Sequence, residues 1–384
     1  MMKIVHVEDS FDPTAGYQTN ELLRIQRDNV QQIVIAGKDL SVFHKKLDLI
    51  EDLKFENTYN VKIIRLDVVI RISSRIILKH LWSTIKEQQP DILFLHGIAD
   101  FKDLRLFFKS EKFTVVRDCH MSWVASINRY ADYFRKLYSM TFSHIINSSN
   151  KYAKVYALGN EEYEYLRALG INKKKIDMLP HGYNKDFFFY DKKERYNLRK
   201  ELKVGEDTVL ISYIGKFDKY KKPDLIFDIL ELIPPDFFKK KKVKVLFLGP
   251  KDIDYMEKIF VPKMNNFFLK DKVQILPVKA FNELKGYYSA SDICIWPKQT
   301  TLSSIHAQVC QTKVIMERHE SNIERVINSS TLFEPDNLYQ AKDILLRLIH
   351  NREYVKNDTF VLDHILAKRE YNNQFSKLIS VQIK

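Results

Sequence analysis

Short blocks of consecutive apolar residues recur along the chain, separated by amphipathic stretches. The first series is KIVHV (3–7), QIVIAG (32–37), VKIIRL (61–66), DILFLHG (91–97), FTVVRD (113–118), KVYALGN (154–160) and KIDMLPHG (175–182). The apolar positions are adjacent rather than alternate. That suits strands of a parallel sheet covered on both faces. TNELLRIQRDN (19–29) and SRIILKHLWSTIKEQ (74–88) carry helical spacing between them.

The pattern stops between 183 and 207, which is aromatic, charged and without a strand, and then begins again. TVLISYIG (208–215), KVKVLFLGP (242–250), KVQILPV (272–278), DICIWP (292–297), KVIME (313–317) and STLFEP (330–335) form the second series. KPDLIFDILELI (222–233) and NELKGYYSAS (282–291) read as its helices, and YQAKDILLRLIHNREYV (339–355) as another. The expected fold class is α/β, with two Rossmann-like parallel-sheet domains facing each other across a cleft. The boundaries fall at 1–185, 186–365 and a helical tail, 366–384, packing back on the first domain.

Composition narrows the classes. Hydrophobic content of 45% is normal for globular proteins and argues against a disordered chain. No apolar run approaches the roughly 18 residues of a membrane span. The opening MMKIVHVEDS enters a strand directly, without a signal-peptide layout, so a cytoplasmic protein is expected. Cys119, Cys294 and Cys310 offer neither CxxC spacing nor an even count, which argues against a disulfide framework or structural zinc. Sixty-two basic against 49 acidic residues give a net charge of +13. Two readings stand: a basic surface for an anionic partner or membrane face, or lysine-rich usage in general. The lysines are scattered and no nucleic-acid motif occurs.

Open parallel sheets bind ligands beyond the carboxyl ends of their strands, so residues there are the candidates. After the first strand, Gly16 precedes a helix. It is either a turn glycine or a point of close backbone approach to a ligand. G-x-G-x-x-G is absent, which disfavours a dinucleotide enzyme. His120 lies just past FTVVRD and is either a packed or surface histidine or a catalytic one that bonds a substrate hydroxyl or donates a proton. His181 and Gly182 in PHGYNKDFF (180–188) read as structural. In the second series Gly215 is followed by Lys216 and Lys221, ahead of Pro223 in a first helical turn. Two cations there make a phosphate clamp or a solvated basic loop. Gly249 and Val278 end the next two strands and would give backbone groups and a wall to a base. PKQTTLSSIHAQ (297–308) follows ICIW. Thr300 or Thr301 would cap a helix there, with Leu302, Ile305 and Val309 on its apolar face. Thr300, Thr301, Ser303 and Ser304 would offer hydroxyls to an anion, or only cap a loop.

With these residues in place, the chain resembles the retaining GT-B glycosyltransferases of family 4 over nearly its whole length, most strongly from about 175 to 335. GKFDKYKK (215–222) resembles the family's Gly-Arg-x-x-x-x-Lys-Gly, with Lys216 for the arginine and Lys221 for the lysine. ELKGYYSASDICIWP (283–297) is similar to a second family block. HAQVCQTKVI (306–315) stands where the family has EAMACGxPVI, so His306 replaces one glutamate and Lys298 an earlier one. Gln311 and Lys313 replace a glycine and a proline.

The resemblance implies a metal-independent transfer of sugar from a nucleotide diphosphate sugar, UDP-sugar foremost. The acceptor would be a glycan or lipid-linked molecule in bacterial surface polysaccharide or glycoconjugate synthesis. The first domain takes the acceptor side and the second the donor. Lys216 and Lys221 would hold the diphosphate, while Gly16 and His120 would lie near the sugar. His306, with Thr300, Thr301 and Ser303, would replace the carboxylate contacts. No metal and no cofactor is expected. Peripheral contact at the inner membrane face would suit the basic surface. The altered 306–313 block supports an alternative: a partner subunit that kept the fold but lost turnover. A phosphorylase or epimerase shares the clamp and is a third reading.

Overall fold

The computed structural model describes residues 1–383 except 39–46, 73–74, 99, 101, 103–104, 107–111, 122, 124–130, 149, 151, 300 and 357–363. It divides into two units, Met1–His181 with Tyr371–Lys384, and Gly182–Glu370.

Unit 1 contains β1 (Met2–Glu8), β2 (Val30–Gly37), β3 (Val61–Leu66), β4 (Val68–Ile72), β5 (Arg75–Leu78), β6 (Ile92–Leu95), β7 (Thr114–Cys119), β8 (Tyr152–Ala157) and β9 (Ile176–Met178). Seven of these form a parallel sheet in the order β3-β2-β1-β6-β7-β8-β9. β4 and β5 form a separate antiparallel hairpin. This corrects the reading of 74–88 as one helix. Arg75–Leu78, with the β-branched pair Ile76 and Ile77 at its centre, pairs with β4, and the helix begins only at Leu81.

His6 lies opposite both Val34 and Phe94, and Asp118 opposite Tyr156. Side chains alternate in a strand, so Ile4, Phe94, Val116 and Tyr156 share one face of the sheet. The chain's last long helix, Tyr371–Ile379, covers them through Tyr371, Phe375 and Leu378. Val5, Val7, Ile33, Leu93 and Val115 point the other way into a second core.

Unit 2 contains β10 (Val209–Ile214), β11 (Val243–Leu248), β12 (Val273–Leu276), β13 (Ile293–Trp296), β14 (Lys313–Glu317) and β15 (Leu332–Phe333). Their order is β12-β11-β10-β13-β14-β15. Each sheet therefore grows outward from its first strand in both directions. The direction reverses beside β1 and β6 in unit 1, and beside β10 and β13 in unit 2. Chain segments leaving such a point part to opposite faces and open a crevice at the strand ends.

The segment from 183 to 207 carries a helix, Lys192–Glu201, capped by the Asp191 carboxylate accepting from Glu194 N at 2.9 Å. Arg195 and Arg199 clamp Asp292, which precedes β13, at 2.7 and 3.0 Å. Asp292 also accepts from Leu210 N at 2.8 Å, tying β10 to β13 at the base of the sheet. The stretch lacks a strand, as its sequence indicates, yet it is packed onto unit 2.

Candidate active site

In unit 1 the loop after β1 is folded by Asp12, whose carboxylate accepts from Thr14 N (2.9 Å) and Oγ1 (2.7 Å). Arg65 of β3 pins the same loop. It donates to the Phe11 carbonyl at 2.8 Å and grips Asp52 at 2.6 and 2.9 Å. Half-buried Gly16 leads into a helix of only six residues, Gln18–Leu23. Glu21 on that helix is buried beside Arg24, and burial pushes its carboxyl up to about 7. Lys102, buried, bridges Asp9 (2.8 Å) and Asp100 (2.9 Å).

His120 lies one residue past β7, with 39% of its side-chain surface open. Its Nε2 is 3.0 Å from Asp118 Oδ1. The surrounding protein disfavours charge on the ring, but Asp118 outweighs this and raises its pKa to about 9. Asp118 is fully buried, yet the imidazoles of His120 and His96 hold it well below the usual carboxylate range. His96 Nδ1 meets Asp118 Oδ2 at 2.6 Å, and the Gly97 amide donates to Oδ1 at 2.6 Å.

Nitrogen and oxygen atoms of His96, Asp118 and His120 lie within 4.8 Å of one another, a spacing that could gather around a cation. Here those atoms face each other in hydrogen bonds, and a cation would have to break both His–Asp contacts.

In unit 2, Gly215 follows β10 and its amide donates to the Leu248 carbonyl at 2.9 Å. Gly249 follows β11 with φ +146°, so close to Gly215 that a Cβ would fall 1.9 Å from the Gly215 oxygen. Asp218 folds the next turn by accepting from Tyr220 N (2.9 Å) and Lys221 N (2.8 Å). Lys216, 63% exposed, reaches Asp218 at 3.4 Å. Lys221 is largely enclosed. Burial drives its amine down to about 8; Arg325 and Lys216 add to the fall, and only Asp218 opposes it. Exposed Val278 stands two residues past β12. Gly215, Gly249 and Val278 therefore follow the ends of three neighbouring strands.

Thr300 lies outside the described residues. Thr301 Oγ1 accepts from Ser303 N at 3.3 Å, but the position before the helix Ser303–Val309 is Leu302, which has no side-chain cap. Buried Ser304 donates its hydroxyl to the Thr301 carbonyl at 2.8 Å. His306 is stacked flat on Phe188, centroids 3.9 Å apart, with Phe281 at its edge. Burial depresses its pKa to about 3, so it is neutral. Lys298 is held by Glu317 and by Asp336 (2.7 Å). Acidic groups thus do reach this corner, from the end of β14 and the turn after β15.

Sequence reasoning missed His6, Gln32, His96, Lys102, Glu317 and Arg325. Of these, His96, directly after β6, and Glu317, the last residue of β14, carried a strand-end signal. The others become visible when distant strands meet.

No family model matches the chain. It is 24% identical over 161 residues to a D-inositol 3-phosphate glycosyltransferase of Gordonia bronchialis. It is 25% identical over 175 residues to one of Xylanimonas cellulosilytica. These alignments cover 40% and 42% of this chain but only 35% and 40% of the relatives, so the chain spans less than half the length of the curated proteins it matches. Among solved structures, a glycosyltransferase of Rickettsia africae superposes with a TM-score of 0.70 at 16% identity, over 99% of this chain and 97% of its own. Anabaena HepE, solved with UDP and glucose, gives 0.68 at 13% identity over 99% of both chains. The lipopolysaccharide outer core galactosyltransferase WaaB gives 0.64 at 13%, over 100% of this chain and 99% of its own. The fold is that of the GT-B glycosyltransferases.

Proposed function

We propose that this chain is a retaining, metal-independent glycosyltransferase using a nucleotide diphosphate sugar, with UDP-sugar the favoured class. The observation that carries the reading is the placement of Lys216 and Lys221 at the carboxyl end of β10, beside the point where the second sheet reverses direction. A diphosphate held there by two ammonium groups would leave with the electron pair of the broken sugar–oxygen bond. The cations stabilise that charge as it develops. The acceptor hydroxyl forms the new bond and its proton passes to the departing diphosphate. The names of the curated relatives and the UDP-bound structural neighbour support this reading.

Unit 1 carries the groups assigned to the sugar and acceptor, Gly16 and His120. A glycan or lipid-linked acceptor in surface polysaccharide or glycoconjugate synthesis suits the net charge of +13. The helix Ala131–Met140 also exposes Tyr133, Leu137 and Met140 by 76%, 59% and 65%, one stripe at i, i+4 and i+7. Among the described residues no helix is long and apolar enough to cross a membrane, so contact would be peripheral. Co-sedimentation with vesicles that is indifferent to anionic lipid would count against a membrane-face role.

The test is turnover across a panel of nucleotide sugars, read as free nucleoside diphosphate released only with acceptor present. Lys221→Ala should lower kcat/KM by about 10- to 100-fold, the scale of one charge-assisted contact. Turnover should persist after exhaustive chelation. A magnesium requirement would overturn the metal-independent reading.

A second reading, a GT-B-fold partner subunit without turnover, draws on two observations. Lys298 is held by two carboxylates and His306 lies in an aromatic stack, and neither side chain carries the carboxylate it replaces in the family motif. Wild-type protein that binds UDP but turns over no nucleotide sugar would favour it.

A further inference from the structure

Gln32, His6, His96, Asp118 and His120 form a continuous hydrogen-bonded line across four adjacent strands, β2, β1, β6 and β7. The strand register puts Gln32, His6 and Asp118 on one face of the first sheet, and the line crosses the reversal point from the amino half of β2 to the carboxyl end of β7. Gln32, His6, His96 and Asp118 are buried, and only His120 at the end of the line is open.

The protons along this line can be placed from one fixed end. Gln32 Nε2 faces three backbone carbonyls, Leu22 at 3.2 Å, Leu23 at 3.2 Å and Ile25 at 2.8 Å. The amide orientation is therefore set, and Oε1 must be the atom facing His6 Nε2 at 3.2 Å. His6 consequently carries its proton on Nε2. Complete burial holds His6 well below the ordinary histidine range, so it has no second proton. Its Nδ1 is a lone pair, 3.0 Å from His96 Nε2, which must then be the donor.

At the other edge of His96, Nδ1 faces Asp118 Oδ2 at 2.6 Å and the Thr19 hydroxyl at 3.4 Å. Thr19 gives its own proton to Glu8 at 3.1 Å, so it too presents a lone pair to Nδ1. Both ring nitrogens of His96 therefore face acceptors. The positive charge belongs on His96 rather than His6, because His96 touches the carboxylate.

We infer that Gln32 and His6 order the protons of this line so that His96 is an imidazolium, and Asp118 is a carboxylate held between two imidazoliums, His96 and His120. His120 then keeps a proton on Nδ1 and presents it as a donor. Under the glycosyltransferase reading on which this role rests, His120 donates to a substrate oxygen and is not the base that deprotonates the acceptor. Gln32 and His6 are positioning residues, four and three links away from His120.

The groups that set the charge on His120 are Asp118 of β7, Glu8 at the end of β1 and Glu162 on the helix Asn160–Ala168, all of which favour it. His96 opposes it as a like charge. A change at Gln32 therefore has an unusual sign. Gln32→Met frees His6 to move its proton to Nδ1 and donate to His96 Nε2. His96 falls to one proton, the like charge beside Asp118 disappears, and the pH at which His120 deprotonates rises. A merely structural Gln32 would loosen the site and let that pH fall.

The experiment is nitrogen-resolved NMR of the histidine rings in the full-length chain, titrated without substrate. Wild type should show His6 with one proton, on Nε2, and His96 and His120 with two each near neutral pH. Gln32→Met and His6→Phe should each take one proton from His96 and move the His120 midpoint upward. Asp118→Asn should move it down. A singly protonated His96 in wild type overturns the inference without any variant. So does an unchanged His96 in both folded variants. The readout needs no turnover, so loss of the glycosyltransferase reading in the nucleotide-sugar panel would leave the proton assignment standing, and the reverse.

Discussion

Gly249→Ala tests the architecture of the second unit at its tightest point. Gly249 has φ +146°, a region that L side chains rarely enter. The added Cβ would lie 1.9 Å from the Gly215 oxygen and 2.7 Å from its carbonyl carbon, where contacts below 3.0 Å are essentially never seen. Relief requires at least 3.0 − 1.9 = 1.1 Å of movement. Both partners are backbone, so no rotamer change supplies it. The movement would break the Gly215 amide bond to Leu248 and shift Lys216 directly after it. Forced backbone conformation costs about 1–3 kcal/mol and the lost hydrogen bond about 1 kcal/mol more. For a unit of this size that is a fall of roughly 5–15 °C in melting temperature. Gly97→Ala is the control, because φ is +81° but nothing lies within 4 Å of the added Cβ. It should cost about 1–2 kcal/mol from conformation alone. Calorimetric melts of wild type and both variants give the comparison. A Gly249→Ala protein no less stable than Gly97→Ala would refute the close approach of these strand ends.

His306 should make unit 2 acid-sensitive. Its folded pKa of about 3 lies below the ordinary 6.5, so its stabilising contribution is full above 6.5 and is lost as pH falls towards 3. Urea melts should show His306→Phe, which keeps the stack on Phe188, losing less stability on acidification, by about 1.4 kcal/mol per pH unit. Asp292→Leu should cost about 3–5 kcal/mol in the same melts, because two enclosed guanidiniums lose their counter-charge. Adding Arg195→Met and Arg199→Met should recover much of the loss, and a triple variant as unstable as the single one would contradict the ion-pair account. The free-enzyme profile of kcat/KM should fall as pH rises through about 8, where Lys221 loses its proton, and Lys221→Arg should push that fall upward.

The sequence by itself determined the two series of buried parallel strands and the strand ends where function would be sought. Those signals are local: a strand covered on both faces must be apolar at successive positions, and a ligand-facing turn must follow it. The sequence also placed Gly215, Lys216, Lys221 and Gly249 directly after β10 and β11, since adjacency along the chain fixes them. It misread 75–78 as helix because a short β-branched run carries no period until its partner, β4, is known. Tertiary structure alone decided which polar residues meet. Gln32, His6, His96 and Asp118 are scattered over 113 positions, and only the strand order β2-β1-β6-β7 stacks them into one line. The missing acids near Lys298 are likewise supplied by Glu317 and Asp336, 19 and 38 residues away. His306, which the motif alone would direct towards a ligand, is instead folded against Phe188. Hydrogen bonds and ion pairs act over about 3 Å in space whatever the separation along the chain. A single sequence therefore lists the groups without saying which of them touch.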